Sequence, residues 1–236
     1  MSRLIRTTAA LLLLATAAAA QTGGDHYSVT LYGGHASVFR PRTGHTWATF
    51  THTFPTADGG TATEQHTISW LPATLNIRPF ALRPETGANL THEQTMAFMT
   101  SGRRPQVEAF GPYEITADRY HQLLAQQARL ESGAVQYHGL GMLGRRGDVM
   151  HCIDAVTRTD PLWERKATPS VANGVLGTFQ AVVAMRQSGF ADPGRVSQTH
   201  FREKGVEYEV LIAHKSIWNE IYYTETQEGL KKQGIY

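Results

Sequence analysis

Cys152 is the only cysteine in the chain, and it stands in GDVMHCIDAV, residues 147–156. A thiol is a poor nucleophile near neutral pH unless its pKa is lowered. A helix N-terminus lowers it through the helix dipole, and a nearby imidazolium through its charge. The same helix start offers backbone N–H groups to a developing oxyanion. Cysteine chemistry therefore needs a loop-to-helix junction at the thiol and a histidine held on a rigid strand. Gly147 and Asp148 ahead of the short apolar stretch offer the first. GHTWATF, residues 44–50, offers the second, with His45 near its start. A plainer reading stands beside this one. Val149, Met150, Ile153, Ala155 and Val156 surround the cysteine, which suits a small apolar residue on a core helix.

The order of the two motifs adds to the first reading. A Gly-His strand, then a second strand, then HCIDAV about a hundred residues later resembles the circularly permuted papain-like fold. That group is similar to the NlpC-type cell-wall peptidases and amidases. The resemblance implies an α+β fold in which Cys152 is the nucleophile and His45 the general base. It also implies a third polar group, on the adjacent strand, that orients the imidazole. The candidates there are His66, Thr67 and Ser69. Strand alternation puts His66 on one face with Ile68 and Trp70, and Thr67 and Ser69 on the other. His66 is favoured, because imidazole accepts or donates through either nitrogen. His151 departs from the asparagine that precedes the cysteine in the permuted relatives. His35, in GGHASVF, competes with His45 for the role of base. The implied reaction is hydrolysis of an amide or ester, possible without a cofactor, on a peptide of the cell envelope or another amide.

The first residues, MSRLIRTTAALLLLATAAAAQ, read as a signal peptide over 1–20. Arg3 and Arg6 form the basic start, an apolar run of about a dozen residues follows, and Ala18 to Ala20 suit a signal peptidase. Export to the periplasm or beyond is expected, with no stable membrane insertion after cleavage. Residues 21–236 read as a single domain, long enough to bury a core. With one cysteine there is no internal disulfide, so packing must supply the stability. The formal charge of +2 is spread along the chain, and Arg103-Arg104 and Arg145-Arg146 are pairs rather than patches. Nothing in that distribution points to nucleic acid.

Several elements are legible. YSVTLYGG (27–34), extended past a bulge by HASVF (35–39), HTWATFTHTF (45–54) and TEQHTISWLP (63–72) read as strands. The Gly-rich turn PTADGG makes the last two antiparallel neighbours. Thr91 and Thr116 are N-cap candidates for two helices, the second ending at Gly133. A helix is expected to begin at or near Cys152. TDPLWERKATPS (159–170) reads as a connector, and Asn173 to Gln187 as an apolar helix. VEYEVLIAH (206–214) and IWNEIYYTE (217–225) alternate as strands. Strands, helices, then strands suggest α+β, with helices packed on an antiparallel sheet.

Two other classes of function fit the residues. Of eleven histidines, His26, His35, His45, His52 and His66 lie in the N-terminal β region, where strands could gather a metal site. No HxH, HExxH or HxxxH spacing supports one. A non-catalytic secreted binding protein is the other class, with Trp47, Trp70, Trp163 and Trp218 lining a groove; large aromatics in strands are more often core. GLGMLG (139–144) spells a dinucleotide fingerprint, but no long strand precedes it and a poor helix start follows.

Overall fold

The computed structural model describes residues 24–35, 44–101, 106–139, 148–167, 174–191, 210–213 and 222–225. The expected leader, residues 36–39, the glycine-rich stretch from Leu140 and Trp218 lie outside them. In chain order the first elements are β1 (His26–His35), β2 (Gly44–Pro55), β3 (Thr61–Ile68), β4 (Trp70–Pro72), β5 (Glu85–Asn89), α1 (His92–Thr100) and β6 (Gln106–Glu114). Then come α2 (Ala117–Glu131), β7 (Gln136–Tyr137), β8 (Val149–Met150), α3 (Cys152–Thr157), α4 (Pro161–Ala167), α5 (Gly174–Ser188), β9 (Val210–Ala213) and β10 (Tyr222–Glu225).

The fold is α+β. One sheet has six strands in the order β10-β9-β6-β1-β2-β3, and a smaller one runs β4-β5-β7-β8. Pairing is antiparallel except between β6 and β9 and between β7 and β8. β2 and β3 form the expected hairpin, with Phe50 opposite His66. Asp58 shapes its turn by accepting from the Gly60 amide at 3.2 Å.

Alternation along β1 and β2 sends apolar side chains to both faces, and each face is covered. Leu31, Ala48 and Phe50 join Leu123, Ile153, Trp163 and Met185 in the main core, which α2 to α5 close. Tyr32 and Trp47 stack on the other face at 5.2 Å and pack with Met99 of α1. Trp47, Trp70 and Trp163 are all core residues, so none of these three lines a groove.

Thr91 caps α1 in a capping box with Gln94, and Thr116 caps α2, as expected. Two expectations are corrected. The stretch 63–72 is not one strand, because β3 ends at Ile68 and the chain enters the second sheet after Ser69. The stretch 159–170 is not only a connector. Asp160 accepts from the amides of Leu162 and Trp163 at 2.9 and 2.8 Å and starts α4, with Pro161 at its first position. β5 and β6 also form, without having been foreseen. β5 lies close under Trp70, where a β-carbon on Gly87 would come within 2.0 Å of the indole.

The seam between β1 and α5 is equally close. Thr178 Oγ1 donates to the Tyr32 carbonyl at 3.1 Å and lies 2.8 Å from Thr46 Oγ1. A β-carbon on Gly33 would meet Thr178 Oγ1 at 2.5 Å and the Val175 Cα at 2.8 Å. The second atom is backbone and cannot swing away. Gly33→Ala is therefore expected to cost about 2–3 kcal/mol of stability, in the range of overpacked cores, read as a lower urea midpoint at unchanged slope.

Candidate functional site

Cys152 is the first residue of α3, as the sequence suggested, and His151 is its N-cap. His151 Nδ1 accepts from the Asp154 amide at 3.0 Å, and the Asp154 carboxylate reaches back to the His151 amide. The imidazole Nδ1 occupies the place an asparagine Oδ1 takes when asparagine caps a helix. Both are acceptors one atom beyond Cγ. Thus His151 positions the helix start. Burial lowers its pKa, partly opposed by Asp154.

The main-chain amides of Thr46 and Ile153 lie close to the Cys152 sulfur. The Thr46 amide is available because the β2–β3 ladder stops at Ala48–Ile68. β2 runs on to Gly44 without β3 beside it, and the α3 start fills the margin. These donors favour the thiolate, yet burial outweighs them and pushes the Cys152 thiol up to about 11. Cys152 is only 2 % exposed.

His45 is the chain neighbour of Thr46 and is fully buried. Its side chain leaves β2 on the α1 face, stacked on Trp47 with ring centroids 5.6 Å apart. His45 Nε2 lies 2.9 Å from Ser69 Oγ. Thr95 Oγ1 of α1 is 2.7 Å from Ser69 Oγ and 2.7 Å from the Thr91 carbonyl. Ser69 is held in turn: its amide donates to Asn89 Oδ1 at 2.7 Å. His45 Nδ1 has no hydrogen-bond partner and is buried. Burial pulls the imidazole down to about 3, so it is neutral across the physiological range. No hydrogen bond joins His45 to Cys152 among the described residues.

The side chain that reaches His45 is that of Ser69, not the His66 imidazole that the sequence reading favoured. The register decides it. His66 is opposite Phe50, and stacks on that ring at 5.4 Å. Phe50 and His45 differ by an odd number and leave β2 on opposite faces. Thr67 lies opposite Thr49, on the His45 face, but the hydroxyl that reaches His45 is that of Ser69. His35 ends β1, and its ring packs against Gly174 at the start of α5, where a β-carbon would lie 2.3 Å from Nε2. Its Nδ1 is also unpartnered, and burial lowers its pKa.

Thr95 and Asn89 were not foreseen. Thr95 follows the Thr91 cap by one turn, which is the only signal the sequence offers for it. Among the described residues no group of three or more His, Cys, Asp or Glu side chains converges to hold a metal ion. His52 instead stacks on Tyr27 at 4.4 Å and lies 3.6 Å from Asp25. No described helix is long and apolar enough to cross a membrane. Comparison of the chain with protein-family models, with curated proteins and with solved structures finds no match.

Proposed function

We propose that the protein is an exported cysteine hydrolase of permuted papain-like type, acting on an amide or ester bond, with Cys152 as nucleophile and His45 as base. One observation carries this reading. A helix-start thiol lies close to the amide next to a buried histidine whose Nε2 is engaged and whose Nδ1 has no partner. A buried polar atom left unpaired calls for an explanation, and a base waiting for a proton is one.

The hydroxyl chain admits the tautomer that this reading needs. Thr95 has one hydroxyl hydrogen and two acceptors in reach. When it donates to Ser69 Oγ, that oxygen keeps a second lone pair that can receive His45 Nε2–H. His45 Nδ1 is then a bare lone pair. The reverse arrangement buries an unpaired Nδ1–H, and orphaned donors are the rarer case.

Both reacting groups are neutral at rest, so the proton moves during attack. Sulfur bonds to the substrate carbonyl carbon while its proton passes to His45 Nδ1. The oxyanion is received by main-chain N–H groups at the α3 start. His45 then protonates the leaving nitrogen or oxygen as its bond to carbon breaks. Water, losing a proton to His45, cleaves the thioester and releases the acid, and the thiol is restored. A peptide of the cell envelope is the substrate class that the resemblance implies.

A second reading has its own support: exposure of only 2 % and a raised thiol pKa suit an inert structural cysteine. Iodoacetamide labelling of Cys152, followed by mass spectrometry across pH 5–11, separates the two. For the hydrolase, a labelling component at pH 7 in the folded protein is expected, reduced at least tenfold in His45→Gln and kept in His35→Gln. Labelling only in denaturant would leave the structural thiol standing and the hydrolase rejected. Loss in His35→Gln alone would transfer the base to His35.

A further inference from the structure

The connection between β4 and β5 carries two large apolar side chains that stand exposed among the described residues. Phe80 is 82 % exposed and Leu82 is 93 % exposed. Such exposure in a loose surface loop would mean little, but this loop is fastened. Ile77 and Pro79 are buried beneath it. His138 Nε2 lies 2.8 Å from the Ala81 carbonyl, and the Ala81 amide donates to the Arg78 carbonyl at 3.1 Å. A β-carbon on Gly139 would meet Pro79 Cα at 2.8 Å, so the loop base is pressed on the end of β7. The in-and-out order along 77–82 thus holds Phe80 and Leu82 outward. Pro79 and Pro84 limit the backbone around them.

The charge beside this tip is that of Arg83, because the other arginine of the loop is paired at its base. RPFALRP, residues 78–84, contains two arginines and no acidic residue. Arg78 pairs with Glu85 at the base at 3.0 Å, and the exposed Arg83 stands beside the tip. An aromatic and an aliphatic side chain held outward, with arginine next to them, match the boundary between acyl chains and anionic headgroups.

We propose that the 78–84 loop is an interfacial anchor that seats the protein on an anionic lipid surface, with Phe80 and Leu82 entering the headgroup–acyl boundary and Arg83 meeting lipid phosphate. The contact is peripheral and reversible, and does not span the bilayer. It is independent of the Cys152 chemistry, so Cys152→Ala keeps it. Two side chains and one charge make a weak anchor, suited to holding a protein that already lies close to a membrane.

The test uses the full chain with vesicles of phosphatidylglycerol and phosphatidylethanolamine, and neutral phosphatidylcholine vesicles as comparison. Phe80→Trp is expected to give a blue-shifted difference emission on vesicle addition, quenched by lipids brominated on the acyl chain. In co-sedimentation, Phe80→Ser with Leu82→Ser should lower the vesicle-bound fraction at least tenfold. Arg83→Gln should weaken binding about fivefold on anionic vesicles and leave neutral ones unchanged. Both side chains are exposed, so near-UV circular dichroism should be unaltered. If the double variant misfolds, the tryptophan readout decides alone. Emission unchanged by vesicles and unquenched by brominated lipid would overturn the proposal. So would a lower sedimentation coefficient of the double variant without lipid, which would assign the tip to a second copy of the chain.

Discussion

Between pH 6.5 and about 3 the protein is expected to lose on the order of 4–5 kcal/mol of stability through His45 alone. The folded state holds this imidazole neutral down to about 3, because it is fully buried and no opposite charge faces it. The unfolded chain binds the proton at the ordinary value of 6.5. Each unit of difference is worth about 1.4 kcal/mol. The unfolded state therefore carries more protons throughout this window, and stability falls as pH falls. Above pH 6.5 the contribution is complete and constant. Urea unfolding at a series of pH values measures it. His45→Gln keeps a nitrogen near the Nε2 position for Ser69 and cannot be protonated there. The variant should follow a flatter acid limb than the wild type, with the residual slope owed in part to His151, whose pKa is also depressed by burial. Parallel limbs in the two proteins would mean that His45 is hydrated or protonated in the fold.

The second large effect is expected at Asp160. One oxygen caps α4 through the Leu162 and Trp163 amides, and the other pairs with Arg119 of α2. The guanidinium also lies over the Phe190 ring, 5.1 Å from its centroid. Removing the carboxylate strands the two amides and a largely buried cation at once. Asp160→Ala should cost about 3–5 kcal/mol, the range for breaking a buried pair from one side. Asp160→Asn retains a capping oxygen and should cost about 1–2 kcal/mol less than the alanine variant. Denaturant midpoints of the two variants check this. Equal losses would show that charge pairing, not capping, dominates.

The local signals were legible where one side chain acts on its own backbone. Thr91, Thr116 and the start of α3 at Cys152 are of this kind. So are the Thr-rich strand around His45 and its hairpin with β3. Asp160-Pro161 was a signal of the same sort, a cap followed by the residue best suited to the first helical position, but it lay inside a stretch that reads as a linker. What could not be read depends on register. Whether His66 or Ser69 meets His45 turns on Ala48 lying opposite Ile68, and a shift of one residue would exchange the faces. β5, with the sequence ETGAN, has little strand propensity of its own; Gly87 is there to admit Trp70. Burial was also invisible. The motif around Cys152 suggests a lowered thiol pKa, and enclosure by the core raises it instead.

Ser69 is the single residue between β3 of the large sheet and β4 of the small one. Its amide is held by Asn89 of β5, and its hydroxyl touches both His45 of β2 and Thr95 of α1. Mechanically this is a pivot whose pin is also an electrical contact. A tilt of one sheet against the other would change the 2.9 Å separation of Ser69 Oγ and His45 Nε2. The nitrogen resonances of that one ring then read out the posture of the whole scaffold.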